Sequence, residues 1–497
     1  MQVVTSQQMR SVDQGAMQKY HIPGIVLMEH ASSGIYAQMK NWLKKSDRIQ
    51  IVCGVCNNGG DGLALARLLT IDGYDVCYSL VEHKVVTEDA LCNLQMVEAL
   101  GIPCYEDVQS VDVIVDAIFG TGLQRDIEGN AKKWIEKINA NVAKVVSIDI
   151  PSGICSNTGE ILGVAVKADI TYTIARGKVG LYVYPGSEYV GNVSYIDLHV
   201  PNSLFEECGS TVSLVTESVC KQLLPIRSSH SHKGDYGKIL MIGGSRNMSG
   251  AICMAAKAAL ASGCGLLTCA VPVCIQFVLQ TNVLESMSLP LLDRNGWVSK
   301  ESVSSLPVLD NYDGILIGCG MGRHADVVAY VDKVMKCNKP VVIDADGLVG
   351  LKPLLMVYKN RKDVILTPHL KEFADLMDVA VSEIEKHRMF YIDQFTKEYP
   401  NWTLVLKSET TIIANGEYRY INTSGNNGLA VGGSGDVLAG IITGMLGQIK
   451  DCVKAACVGV YLHGYAADCL LDTKSVYSIV PTDVIQEVEH ILKTMAQ

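Results

Sequence analysis

Asp436 closes the run Thr423-Ser-Gly-Asn-Asn-Gly-Leu-Ala-Val-Gly-Gly-Ser-Gly-Asp436, just ahead of an apolar, helix-like stretch over 437–446. Glycines at 428, 432, 433 and 435 let a backbone adopt positive φ and turn its N–H groups toward a ligand. A helix start adds partial positive charge and unpaired donors, which together make an anion hole. One carboxylate at the mouth of such a hole suits phosphoryl transfer: the hole holds a phosphate and the Asp takes a proton from the attacking hydroxyl. A glycine-rich turn before a capped helix is the competing reading of the same residues.

The first half holds a second constellation. Strand-like residues 48–55 run into Asn57-Asn-Gly-Gly-Asp61-Gly62 and a helical 63–69. Strand-like 111–119 contains Asp116 and runs into Gly120-Thr-Gly-Leu-Gln-Arg-Asp126, and strand-like 145–149 ends at Asp149 ahead of Ile-Pro-Ser152-Gly153. Ligands of open parallel sheets bind beyond the carboxyl ends of strands, so Asp61, Asp116, Asp149 and Ser152 are expected to converge on one pocket. The paired Asn and Asp61 add side-chain oxygens that suit sugar hydroxyls or a hard cation. For any single Asp a helix cap or turn is the simpler reading. Three at corresponding strand ends favour a site.

Repeated strand–turn–helix order must position these residues, which predicts an α/β fold of two domains, 1–210 and 211–497. The first opens with two helices over 5–45, broken at His21-Ile-Pro-Gly24, and further strands are expected at 74–81, 169–175 and 191–200, the last at a sheet edge. In the second, strands are expected at 238–242, 314–318, 340–344, 364–368 and 403–407, with an alanine-rich helix over 251–261. Its turns are Gly243-Gly-Ser245, Gly318-Cys-Gly-Met-Gly322, Asp344-Ala-Asp-Gly347, Thr367-Pro-His369 and Lys407-Ser-Glu-Thr-Thr411. His369 falls in the first turn of a helix, where neutral imidazole is favoured and a surface cap is the alternative. Lys407 and the hydroxyls after it suit a phosphate.

Composition narrows the class. With 42 Lys+Arg against 52 Asp+Glu the net charge is −10, which argues against nonspecific nucleic-acid or anionic-membrane binding. No apolar run reaches the roughly 18–20 residues of a membrane helix, and the polar N-terminus lacks a signal core, which predicts a cytoplasmic protein. The 17 cysteines are scattered. Cys53-Gly-Val-Cys56 reads as two buried small hydrophobes, and His230-Ser-His232 lacks a third ligand nearby, so no metal is assigned there.

The motifs carry a resemblance over nearly the whole chain. Gly432-Gly-Ser-Gly-Asp-Val-Leu-Ala-Gly440 resembles the anion hole of the ribokinase-like superfamily. The three turns at 57–62, 116–123 and 149–153 resemble those of NAD(P)H-hydrate epimerase domains. The resemblance implies a Rossmann-like three-layer sandwich that interconverts the R and S epimers of NAD(P)H hydrated at C6 (NADHX and NADPHX). Asn57, Asn58, Gly59, Gly60, Asp61, Gly120, Thr121, Gly122, Leu123, Gln124, Arg125 and Asp126 would then contact substrate. Asn58, Asp116 and Ser152 would ligate K⁺, and Asp149 would touch the substrate as an acid/base. Where that family is expected to read Met-Glu-Asn-Ala-Gly, this chain reads Met28-Glu-His-Ala-Ser32. The second half resembles the ADP/ATP-dependent NAD(P)H-hydrate dehydratases, with a ribokinase-like α/β sandwich. This implies that Ala251, Gly320, His369 and Asp436 contact the hydrated nucleotide, and that Lys407, Ser408, Glu409, Thr410, Thr411 and Gly435 hold the adenine nucleotide. Asp436 would be the catalytic base, Mg²⁺ the counter-ion, ADP the favoured donor over ATP, and the assembly a homo-oligomer. Two other readings remain: a vitamin or sugar kinase, which leaves 57–62 unexplained, and a nucleotide-binding scaffold whose first half only recognises a ligand or partner.

Overall fold

The computed structural model describes residues 2–82 and 84–495. It divides into two compact units, residues 2–212 and those from Ser213 onward.

In the first unit six parallel strands lie in the order Asp75–Leu80, Arg48–Cys53, Val113–Ala117, Lys144–Ile148, Ile170–Ile174, Asn192–Ile196. Every residue of Val113–Ala117 is buried, as expected of a strand covered on both faces. Ile49, Ile51 and Cys53 pack on one face against Ile35 and Met39 of the helix Gly24–Lys40 and Leu63 of the helix Asn57–Ile71. Val52 and Ile114 pack on the other against Trp134, Ile135 and Ile138 of the helix Gly129–Ala140. Three layers result. The order turns back on itself between Arg48–Cys53 and Val113–Ala117, and such a switch point opens a crevice at the strands' carboxyl ends. The first helix, Ser6–Lys19, is fixed by a capping box in which Thr5 and Gln8 satisfy each other's backbone N–H.

In the second unit the strand order is Val212–Val215, Tyr418–Asn422, Ile412–Asn415, Trp402–Leu406, Val364–Leu366, Val341–Ile343, Gly314–Ile317, Lys238–Ile242, Leu266–Pro272, Met287–Leu291. Pairing is parallel from Met287–Leu291 to Trp402–Leu406, and antiparallel through Ile412–Asn415 and Tyr418–Asn422. The helices Ser249–Ala261 and Ser434–Ile449 pack closely on one face. A Cβ at Gly440 would fall 2.2 Å from the Ala255 carbonyl oxygen, and one at Gly444 2.1 Å from Ser262 Oγ. Small residues set that spacing. No helix among the described residues is long and apolar enough to cross a membrane.

Local structure departs from the sequence expectation at two places. The helix Asn57–Ile71 begins inside the Asn-Asn-Gly-Gly-Asp run, which is therefore not a turn. Of the glycines at 428, 432, 433 and 435, only Gly433 has positive φ, with Gly425 upstream the other in the run, and the helix starts at Ser434.

Candidate active sites

The first unit holds a cavity of about 730 Å³ at its switch point. Asn57, Asn58 and Asp61 line it from the helix start, Gly120 to Arg125 from the turn after Val113–Ala117, and Asp149 from the next strand end. Gly59 and Gly60 lie behind this surface. A Cβ on Gly59 would sit 2.0 Å from the Gly54 carbonyl oxygen, and one on Gly60 2.6 Å from the Met28 methyl, so these glycines bring the helix against the sheet. Asp126 is outside the lining. Ser32, where the resembled motif has Gly, is buried and donates from Oγ to the carbonyls of Met28 and Asp61, both at 2.9 Å. The altered segment therefore supports the Asp61 backbone.

Asp149 has φ 69, a costly conformation for a non-glycine residue, directly after its strand. Its Oδ1 accepts from Ile174 N–H at 3.1 Å and from the ammonium of Lys178, which also donates to Ile174 O at 2.7 Å and Thr173 Oγ1 at 3.2 Å. Lys178 is completely buried. Two more carboxyls share the cavity. Burial, with the charges of Asp149 and Asp13, pushes Asp61 well above the usual carboxylate range. Burial pushes Asp13 up to about 7; Lys178 lowers it and Asp149 raises it.

Asp116 and Ser152 meet each other behind the cavity lining. Ser152 donates to Asp116 from Oγ (2.6 Å) and N–H (2.8 Å), Ser147 Oγ donates at 2.8 Å, and Ile118 N–H at 3.2 Å. Burial still holds Asp116 above its ordinary value. The Asn58 side-chain nitrogen is buried without a hydrogen-bond partner.

The second unit gathers its residues around the start of the helix Ser434–Ile449. Lys407 Nζ donates to Asp344 Oδ1 at 2.9 Å and lies 3.2 Å from where a Gly435 Cβ would stand. Burial works against the Lys407 charge, but Asp344 and Glu372 outweigh it and hold the ammonium above its usual range. Thr367 Oγ1 also donates to Asp344 Oδ1, at 2.8 Å. Asp436, in the helix's first turn, is pushed up to about 6 by burial and the Asp344 charge, so it is ionised at neutral pH. Asp344, Asp436 and the Cys319 thiol offer atoms within 4.8 Å of one another. Ser434 Oγ lies 3.2 Å from His463 Nε2. Burial, assisted by Lys407, lowers that imidazole to about 4 and keeps it neutral.

Gly320, at φ 65, brings its turn against the start of Ser249–Ala261: a Cβ there would lie 2.9 Å from Ala251 Cβ and 2.7 Å from the Met248 carbonyl oxygen. His369 is the N-cap of the helix Leu370–Met377, not a first-turn residue. Its Nδ1 accepts from the N–H groups of Lys371 (3.1 Å) and Glu372 (3.2 Å). That leaves Nε2 to carry the proton, on a half-exposed ring. Beyond Lys407, Ser408 Oγ accepts from Arg388 (3.0 Å) and donates to Thr410 O (2.7 Å), and Glu409 pairs with Arg388 at 3.2 Å. Thr411 passes directly into Ile412–Asn415.

Two family models match the chain: one described as NAD(P)H-hydrate dehydratase over residues 239–490, and one described as YjeF-related protein N-terminus over 24–180. The bifunctional NAD(P)H-hydrate repair enzyme of Dictyoglomus turgidum is 34% identical across 98% of this chain and 97% of its own. That of Moorella thermoacetica is 34% identical across 100% and 98%. The chain belongs to the bifunctional NAD(P)H-hydrate repair enzyme family. Among solved structures, the ADP/ATP-dependent NAD(P)H-hydrate dehydratase of Bacillus subtilis, co-crystallised with ATP and Mg²⁺, is 31% identical at a TM-score of 0.51, over 57% of this chain and 99% of that one. A ribokinase-like superfamily protein from Enterococcus faecalis is 29% identical at 0.52, over 58% and 97%.

In this family member several site residues escaped the sequence reading. Lys178 sits in Ala-Arg-Gly-Lys-Val-Gly-Leu, where a lysine amid small and apolar residues was the available signal. Asp13 interrupts the buried face formed by Met9, Val12 and Ala16. Arg388 and His463 are polar residues buried in otherwise helical stretches. One minor expectation is corrected: Cys53 is buried, but Cys56 is exposed at the helix N-cap. His232 stands at the N-cap of the short turn Lys233–Tyr236, with Asp235 accepting from its N–H.

Proposed function

We propose that the first unit interconverts the R and S epimers of NAD(P)H hydrated at C6, and that the second dehydrates the S epimer at the expense of ADP or ATP. The observation that supports this most is that each unit has its own strand-end Asp–Lys pair with further raised carboxyls beside it. One site split across the chain would not need two.

In the second unit the nucleotide's terminal phosphoryl lies against the helix start at Ser434 and Gly435, beside the Lys407 ammonium, where charge on the transferred group is stabilised. Asp436 takes the proton of the C6 hydroxyl as its oxygen attacks phosphorus, and the bond to the nucleotide breaks. The phosphate then leaves with the C6–O electron pair, C5 gives up a proton, and the C5–C6 double bond of NAD(P)H is restored. Ala251, Gly320 and His369 contact the hydrated nucleotide; Lys407 to Thr411 and Gly435 hold the donor, with Arg388 fixing Ser408 and Glu409. Mg²⁺ bound with the donor's phosphates would offset their charge, with Asp344 and Asp436 the carboxylates within reach to hold it.

In the first unit Asp149 acts as acid/base at C6, and the cavity lined by Asn57, Asn58, Asp61 and Gly120 to Arg125 binds the substrate. Asn58, Asp116 and Ser152 fit K⁺ in that each offers an oxygen and Asp116, buried, has no ion pair among the described residues. Held there, K⁺ would offset the Asp116 charge and fix the start of Asn57–Ile71. A homo-oligomer is favoured by the exposed apolar Phe277 of the helix Gln276–Asn282, Met287 of the terminal strand Met287–Leu291, and Leu284 and Leu292 on either side of that strand. The free cysteines suit a reducing cytoplasm.

The deciding experiment follows reduced-nicotinamide absorbance as the chain meets mixed R and S NADHX with Mg²⁺, K⁺ and either ADP or ATP. Complete conversion is expected. Arrest at the S fraction would remove the epimerase, and no conversion with either donor would return the vitamin or sugar kinase reading.

A further inference from the structure

Asp13 has no part in the reaction as described so far, yet its placement calls for one. Met9, Val12 and Ala16 bury one face of the helix Ser6–Lys19, whose start is tied down by the Thr5–Gln8 box and by Asn157 Oδ1 accepting from Ser6 N–H at 2.8 Å. That anchoring puts Asp13 on the wall of the cavity that Asp61, Asp149 and Lys178 also line. The neighbouring wall is apolar, with Met9, Met17 and Leu27. Asp149 has an ammonium and a backbone N–H on its carboxylate, whereas Asp13 has no hydrogen bond or ion pair among the described residues. An unpartnered carboxyl in an apolar wall keeps its proton to higher pH than a paired one. Two carboxyls of one cavity in surroundings this unlike suit the two halves of an acid/base pair.

We propose that Asp13 is the second catalytic acid/base of the epimerase, handling the proton on the opposite face of the substrate ring from Asp149. The proposal rests on the epimerase reading above. In one direction the C6–O bond breaks and its electron pair leaves with the oxygen. That oxygen takes the Asp13 proton and departs as water, while the ring-nitrogen lone pair forms the N1=C6 iminium. Water then adds to C6 from the other face, the iminium electrons return to N1, and the water's proton passes to Asp149. The reverse direction exchanges the roles. Lys178, Asp149 and Asp61 are the charged groups whose fields act on Asp13, and Arg10, Asp89 and Arg125 also line the cavity. With Asp13 poised at about 7, interconversion loses rate in both directions as pH rises through that value, because each direction needs one proton on the Asp13–Asp149 pair and the equilibrium between the epimers takes up none.

The test uses the full chain with Asp13→Asn and Asp13→Glu, reading R/S interconversion separately from dehydration of pure S epimer. Asp13→Asn is expected to lower the epimerisation kcat by about 10²–10⁴-fold with KM little changed. It should also abolish the pH limb near 7 and leave dehydration at the wild-type rate. Asp13→Glu should recover part of the rate with the limb displaced. A wild-type kcat and pH profile in Asp13→Asn would overturn the proposal, as would an unmoved limb in Asp13→Glu, which stays informative if the Asn variant fails to fold. A wild-type chain that dehydrates but does not epimerise would remove the epimerase reading itself, a distinct failure.

Discussion

Both units place an aspartate at the end of a parallel strand and pair it with a lysine: Asp149 with the buried Lys178, Asp344 with the half-buried Lys407. Both bend the chain there through a non-glycine residue of positive φ, Asp149 itself (69°) or Ala345 (47°). They part in what faces the pair. In the second unit it is a helix start, with Gly435 beside the Lys407 ammonium and Asp436 in the first turn. In the first, the helix start is used up in packing by Gly59 and Gly60, and the pair faces two carboxyls in a partly apolar cavity. A helix start with a cation and a base suits a phosphoryl group; a cluster of carboxyls with separated proton affinities suits moving protons. The same strand-end device serves two chemistries because its surroundings differ.

The largest expected effect would break that comparison if it failed. Asp436→Asn removes the carboxylate proposed as base but keeps its shape, and should cut dehydration of S-NADHX by about 10²–10⁴-fold while R/S interconversion stays at the wild-type rate. Loss of both activities in a folded variant would mean the units do not hold separate sites. Asp149→Asn should give the mirror image, with epimerisation falling by a similar factor and dehydration of pure S epimer untouched. Undiminished epimerisation would take the acid/base role from Asp149.

The lysines sharpen the comparison through stability. Lys178→Met leaves a buried carboxylate without its ammonium, and breaking one partner of such a pair costs about 3–5 kcal/mol. Lys407→Met should cost less in stability, because Asp344 keeps the Thr367 hydroxyl and Lys407 itself is partly exposed. It should cost more in activity, by withdrawing positive charge from the phosphoryl. Denaturant melts and dehydration rates on both variants separate the two. Equal destabilisation would mean the pairs are structurally equivalent.

These two lysines also show where the sequence stops being readable. Strand ends stood out because parallel strands read as unbroken apolar runs closed by a carboxylate and glycines, as at Val113–Ala117 and Lys144–Ile148. Asp436 stood out because a glycine-rich run meets an apolar helix. Lys178 did not, since its meaning depends on Asp149, 29 residues earlier, being brought to its ammonium by the fold. Asp13 looked like an ordinary polar position of an amphipathic helix until the cavity was visible. The Gly59–Gly60 pair misled for a different reason. Composition signals freedom to turn, while the need at that site is the absence of a Cβ next to Gly54 and Met28. The antiparallel strands Ile412–Asn415 and Tyr418–Asn422 are short and mixed in polarity, so their pattern was weak.

The smallest expected effect is a pH dependence that differs between the units. Burial and the Asp344 charge hold Asp436 at about 6, and only its ionised form can accept the hydroxyl proton. Dehydration kcat should therefore be level above pH 7 and fall as pH drops through 6, about tenfold per unit well below it. Raising the ionic strength should move this limb little, because the groups that set it are buried. Removing the Asp344 charge as Asp344→Asn relieves a repulsion on Asp436 and should carry the limb to lower pH, although Lys407, freed of its partner, adds to the same shift. Epimerisation, governed by carboxyls of the other unit, should keep its own profile in that variant. If the Asp344 variant moved the epimerisation profile as well, the two proton-handling clusters would have to be coupled, and the comparison between independent sites would give way to one between linked ones.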